Sequence, residues 1–254
     1  MGDMVIALAL VEALHRRFGT SVDLVSSGGW TRPLLGEQPG VGEILLVASR
    51  RTPYALSPDQ RAVVERLRDR GPAPTWLCDR GPKALQLLER AGYGPEWIVD
   101  ADAVCPKVPG EHDVDRWLRF ARLAPTTQRA TPTDAPAGLD DLRVPPVVVQ
   151  PAWREDLDRW LDGPPLLLVQ VGNKRTMRWW IPRRRATNTK YWPEERWAAV
   201  IDFLLRRDPD ARVLLLGVPA EAALNDDVAR RVGSDRVVNV ATELPMQRLL
   251  ALQE

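Results

Sequence analysis

The chain has 254 residues, enough for two domains that each bury a core. Its 44% hydrophobic and 27% charged fractions are those of an ordinary globular protein. A net charge of +1 supplies no field for nucleic acid, no apolar run reaches the ~18 residues of a membrane span, and two cysteines with two histidines lack metal-ligand spacing.

The N-terminus shows no basic segment leading to a cleavage site, so a reduced, cytoplasmic protein is the expectation. Residues 4–18 place Val5, Leu8, Val11 and Leu14 on one helical face. Short apolar runs at 22–25 and 44–47 read as strands. Pro58 to Arg70 reads as a charged amphipathic helix, 75–78 as a strand, 83–91 as a helix and 97–99 as a further strand. Short strands alternating with helices predict a parallel sheet covered on both faces. A helix over 111–123 follows, and then a Pro-, Thr- and Ala-rich stretch over 125–137 that marks a linker or excursion.

The second half opens with a strand-like run over 144–150 and a short helix over 153–161. Leu166 to Val171 is an apolar run ending in Gly172 and reads as a buried strand; Arg212 to Leu216, ending in Gly217, reads as another. Between them, Pro193 and the acidic pair Glu194-Glu195 open an amphipathic helix that runs to about Arg207. Lys190 therefore stands just ahead of a helix N-terminus. A cation there is unfavourable against the helix dipole unless an anion is shared, and that position suits a phosphate.

These residues, taken in order, resemble glycosyltransferase family 9, the ADP-heptose:lipopolysaccharide heptosyltransferases. The resemblance rests on Gly172, on Lys190-Tyr191-Trp192-Pro193 with Trp197, on Gly217-Val218-Pro219-Ala220-Glu221, on Val237 to Val240 with the leucine-rich 244–252, and on the Gly2-Asp3 turn ahead of an apolar helix. It implies a GT-B-like α/β fold of two Rossmann-like domains with parallel sheets facing a cleft. The domains are expected at 1–137, on the acceptor side, and 138–254, binding the nucleotide sugar. Family members also carry a strand before the Gly-Asp turn and an Asp-x-Gly-x-x-His segment after the leucine helix. Neither is in this sequence, so the chain reads as a fragment lacking a short piece in front and a larger one behind, or else as a natural short homologue.

The resemblance also gives residues their roles. Asp3 matches the family's general base, which takes the acceptor hydroxyl's proton; read from the residues alone it is an N-cap for the following helix. Lys190 is the candidate for the donor's diphosphate, with Thr187 and Thr189 as hydroxyl donors. Glu221, following the strand that ends in Gly217, matches a nucleotide-binding carboxylate that accepts from ribose hydroxyls, against an ordinary first-turn acid; Gly172 and Gly217, each at the end of a strand, are counted with the donor-binding residues. Lys174, Arg175, Arg178, Arg183, Arg184 and Arg185, with Trp179 and Trp180, form a basic loop for an anionic, lipid-linked glycan acceptor or an anionic membrane surface. The other reading of that loop is a solvated charge run. Trp192 is expected to pack the loop rather than touch sugar, and Gly28-Gly29 to form a turn.

The implied activity is a metal-independent, inverting transfer of a heptose or related sugar from a nucleotide-diphosphate donor to a lipopolysaccharide-core-type acceptor. No cofactor is implied, and peripheral contact with the inner membrane surface is a further expectation. Two alternatives stand beside it: a GT-B-like nucleotide-sugar epimerase, and a non-catalytic homologue that binds nucleotide or glycan only.

Overall fold

Every strand pair in the computed structural model is parallel, as the alternation of short apolar strands and helices predicts. The structure describes residues 2–49, 52–78, 81–128, 147–155, 157–161, 163–173 and 189–252. Two compact units divide the chain, Met1–Val148 and Val149–Glu254.

In the first unit, α1 (Gly2–Phe18) turns through Gly19, at φ +65, into β1 (Val22–Ser26). The short α2 (Thr31–Leu35) leads to β2 (Val41–Leu46), which pairs with β1. The start of α3 (Pro58–Arg70) is written locally: Pro58 occupies the first turn, and the buried Ser57 donates to Asp59, whose carboxylate also accepts from the Ala48 amide. Gly71, at φ +76, stops it. Then come β3 (Thr75–Leu77), α4 (Pro82–Arg90) and β4 (Ile98–Asp100), with β3 paired to β4. Asp100 caps α5 (Ala101–Val104) through the Asp102 amide at 2.9 Å, and His112 caps α6 (Asp113–Ala121) through the Val114 amide at 3.2 Å.

The single sheet expected for this unit is divided. Among the described residues β1–β2 and β3–β4 share no ladder. Helices on both sides nevertheless carry apolar packing from one pair to the other. Leu10, Ala13 and Leu14 of α1 pack with Val99, Cys105 and Phe120, and Val22 and Trp76 join that cluster. Elsewhere Val63, Val64 and Leu67 of α3 join Leu45 and Val47 to Leu77 and Leu88. Val25 of β1 is 48% exposed. Arg116 is buried among these groups and is satisfied by the carbonyls of Cys105 (2.8 Å) and Ala101 (3.2 Å) and by Asp102 (3.1 Å).

The second unit begins with α7 (Pro151–Arg154) and α8 (Asp158–Leu161), where one short helix was expected. Its sheet has the order β5 (Leu166–Gln170), β6 (Arg212–Leu216), β7 (Val237–Asn239). α9 (Glu194–Arg207), α10 (Ala222–Val232) and α11 (Met246–Ala251) follow β5, β6 and β7 in turn. The register runs from Leu166↔Arg212 to Gln170↔Leu216, so the carboxyl ends of β5 and β6 finish side by side. Central β6 is apolar on both faces. Val213 and Leu215 meet Ile201, Leu205 and Val228, while Leu214 and Leu216 meet Leu157, Trp160, Val240 and Leu244. β5 is half-buried rather than buried, since it is an edge strand among the described residues.

The strand-like run near 150 is not a strand over 147–150; residues 144–146 lie outside the described residues. The Gln38 side chain takes both backbone groups of Val148, accepting from its amide at 2.7 Å and donating to its carbonyl at 3.0 Å. A residue so held has no backbone group left for a ladder. Among the described residues no helix is long and apolar enough to cross a membrane.

Candidate functional site

Parallel strands place the ends of β5 and β6 on one edge, and the following residues build a polar centre there. Beyond β6, Gly217 and Val218 lead into a single 3-10 turn, Pro219–Glu221, that feeds α10. This turn folds Glu221 back toward the strand it has just left. The side chain is 5% exposed. Its Oε2 accepts from the Val218 amide at 3.1 Å and from Gln170 Nε2 at 3.3 Å, and the same Gln170 amide donates to the Gly172 carbonyl at 3.2 Å.

The two glycines follow from that carboxylate. A Cβ on Gly172 would lie 2.2 Å from Glu221 Oε1 and 2.6 Å from its Cδ; one on Gly217 would lie 3.1 Å from Oε2. Neither position holds a positive-φ backbone. What both need is room, and Glu221 occupies it. Gly172, Gly217 and Glu221 are therefore three parts of one arrangement, drawn from segments about 50 residues apart.

The Lys190 turn is tied to the same edge. Asn173, directly after Gly172, donates its Nδ2 to the Lys190 carbonyl at 3.2 Å. Thr189 and Lys190 are both exposed. Just beyond, the Tyr191 hydroxyl donates to the buried Glu194, and Trp192 stands edge-on to Trp197 with ring centroids 4.9 Å apart. That aromatic pair makes Trp192 a packing residue of the loop. The edge thus offers a carboxylate with acceptor capacity beyond its two hydrogen bonds, and an exposed lysine at the entrance to a helix.

Asp3 and Gly28 belong to the first unit. Asp3 has helical backbone in the first turn of α1, one residue inside the helix rather than at its N-cap, and its side chain lies outside the described residues. Thr187, Lys174, Arg175, Arg178, Arg183, Arg184 and Arg185 also lie outside them. The Gly28 carbonyl accepts from the Thr31 amide at 2.9 Å, making that segment a turn. Among the described residues no group of three His, Cys, Asp or Glu side chains could hold a metal ion. Four residues of the edge were missed by sequence reasoning: Gln170, Asn173, Asn225 and Asn239. For Gln170 and Asn239 the signal was present, since each is an amide set in an apolar run; Asn225, followed by two aspartates, carried none.

No protein-family model matches the sequence, and no curated protein matches it at a significant level. Solved structures do share its parallel α/β fold. One is the ADP-heptose LPS heptosyltransferase II of E. coli, with TM-score 0.63 and 16% identity over 98% of this chain and 72% of that one. Another is the glycosyl transferase family 9 protein of Veillonella parvula DSM 2008, with TM-score 0.67 and 13% identity over 98% of this chain and 68% of that one. At these identities the likeness is one of fold.

Proposed function

We propose that the chain is a family 9-type glycosyltransferase moving a heptose or related sugar from a nucleoside-diphosphate donor, ADP-heptose in the first instance, to a lipopolysaccharide-core-type acceptor. The observation that carries this reading is the Gly172–Glu221–Gly217 arrangement beside the Lys190 turn, at the carboxyl edge of a parallel sheet. Ligands of open α/β sheets bind at that edge. Glu221 accepts from the ribose hydroxyls, Lys190 meets the diphosphate at the entrance to α9, and Thr187 and Thr189 add hydroxyl donors. The fold shared with heptosyltransferase II supports the sugar and acceptor classes.

The chemistry is a single displacement. The acceptor hydroxyl oxygen attacks the anomeric carbon as the bond from that carbon to the diphosphate oxygen breaks, which inverts the centre. Asp3 takes the hydroxyl proton, and the nucleoside diphosphate departs with its added charge offset by Lys190. The basic residues Lys174, Arg175, Arg178, Arg183, Arg184 and Arg185 bind the phosphorylated, lipid-linked acceptor and bring the protein to an anionic membrane surface.

Transfer from ADP-heptose to a heptose-free core acceptor, followed by mass spectrometry, tests the reading. Asp3→Ala is expected to abolish transfer and leave ADP binding intact. Undiminished turnover in that variant sinks the base assignment, and wild-type chain that binds ADP without any transfer is a nucleotide-binding protein only.

A further inference from the structure

Asn225 is fully buried on α10, among Leu224 and Val228. Its Nδ2 faces three acceptors: the carbonyls of Leu215 at 3.1 Å and Leu216 at 3.2 Å, which are the last two of β6, and Asn239 Oδ1 at 3.1 Å. Asn239 ends β7. Its own Nδ2 donates to the Ala222 carbonyl at 3.0 Å and to Asp226 at 2.7 Å, and its Oδ1 also accepts from the Ala241 amide at 3.1 Å. With three acceptors around one nitrogen, the amide has one workable orientation, since its reverse would set oxygen against oxygen. The other end of the group is then unsatisfied: Asn225 Oδ1 is buried without a partner.

Burying an unfilled amide oxygen is costly, and an apolar side chain of the same shape avoids that cost. Leucine at 225 would remove that cost and, with it, the donor to Leu215, Leu216 and Asn239, two changes in stability of opposite sign. What asparagine adds is a set of directional ties. Asn225 stands one helical turn beyond Glu221, and the β6 carbonyls that it holds lead directly into Gly217 and Val218, whose amide binds the Glu221 carboxylate. A Cβ on Gly217 would meet Asn225 Nδ2 at 3.3 Å and Glu221 Oε2 at 3.1 Å, so amide and carboxylate flank one glycine. Asn239 fastens the same first turn of α10 from the β7 side.

We propose that Asn225, braced by Asn239, is a positioning residue that holds the Glu221 carboxylate in register for the ribose hydroxyls of a nucleoside diphosphate. This rests on the nucleotide reading given above. It makes ribose recognition, and not phosphate binding, the property that depends on residue 225.

Calorimetric titration of the full chain with ADP, 2′-deoxy-ADP and inorganic pyrophosphate separates these roles, with wild type, Asn225→Leu and Asn239→Ala compared and thermal melts run in parallel. Wild type should prefer ADP over 2′-deoxy-ADP by about tenfold, the value of one hydrogen bond to a charged group. In Asn225→Leu that preference should fall below about twofold, with pyrophosphate affinity and melting temperature unchanged. Asn239→Ala should reduce the preference in the same direction. A variant that melts earlier or loses all affinities together, with the ribose preference intact, assigns the pair to stability and overturns the proposal; so does loss of the fold in both variants. Wild type that binds no ADP overturns the nucleotide reading as well. Wild type and variants that discriminate equally overturn the positioning role alone.

Discussion

Replacing Gly172 by alanine adds one methyl group at the point where β5 meets the Glu221 carboxylate. That methyl would sit 2.2 Å from Oε1, well inside the ordinary contact distance of about 3.4–4 Å between heavy atoms. Glu221 has to swing away, and in doing so it releases the Val218 amide and Gln170. Hydrogen bonds to a charged group contribute about 1.5–3 kcal/mol each. Hydration of the displaced carboxylate returns part of that, which leaves a net loss of about 2 kcal/mol. For a unit of this size the loss lowers Tm by roughly 8 °C. The assay is a double-mutant cycle by thermal melting, with Gly172→Ala, Glu221→Ala and the pair combined. With Glu221 already truncated the three atoms nearest the added methyl are gone, so Gly172→Ala should cost less than about 0.5 kcal/mol in that background. An equal cost in both backgrounds would mean that Gly172 is required for some reason other than Glu221, and the three-part arrangement would fall.

Lys190 is exposed, so Lys190→Ala should leave the melting temperature within experimental scatter while weakening nucleoside diphosphate binding about tenfold, read by calorimetric titration. In the first unit, hydrogen bonding from Arg119 and then from the Val108 amide holds the Glu111 carboxyl well below the usual range, down to about 2. A depressed folded-state value stabilises the fold above pH ~4.5, and that contribution is lost as pH falls toward 2. Glu111→Gln should therefore flatten, without abolishing, the fall in denaturant midpoint between pH 5 and pH 2.5, because Asp59 and Asp113 are also held low by hydrogen bonds. An unchanged slope would show that the Arg119 pair does not form in solution.

What could be read from the sequence is what is locally encoded. α3 carries its own start in Ser57-Pro58-Asp59 and its own stop in Gly71, and β6 is an unbroken apolar run between Arg212 and Gly217. α2 escaped notice because five residues with Pro33 inside them give too short a period to register. The run at 147–149 has strand composition, yet both backbone groups of Val148 go to a glutamine from position 38, a contact that no local pattern can announce. The first unit's sheet looked continuous because each strand was recognisable alone; which edges pair is a tertiary fact. At the candidate site the resemblance marked Gly172, Lys190, Gly217 and Glu221 in advance as donor-binding residues, but no local pattern joined the two glycines to the carboxylate. Their joint reason, a carboxylate folded back against two glycines, exists only once β5 and β6 lie side by side.

The measurement that bears most directly on the account is calorimetric titration of the chain with ADP, with UDP for comparison and Lys190→Ala as control. The account predicts saturable binding that prefers ADP and is lost or strongly weakened in the variant. Absence of binding to either nucleotide, in a chain that circular dichroism shows to be folded, would contradict it.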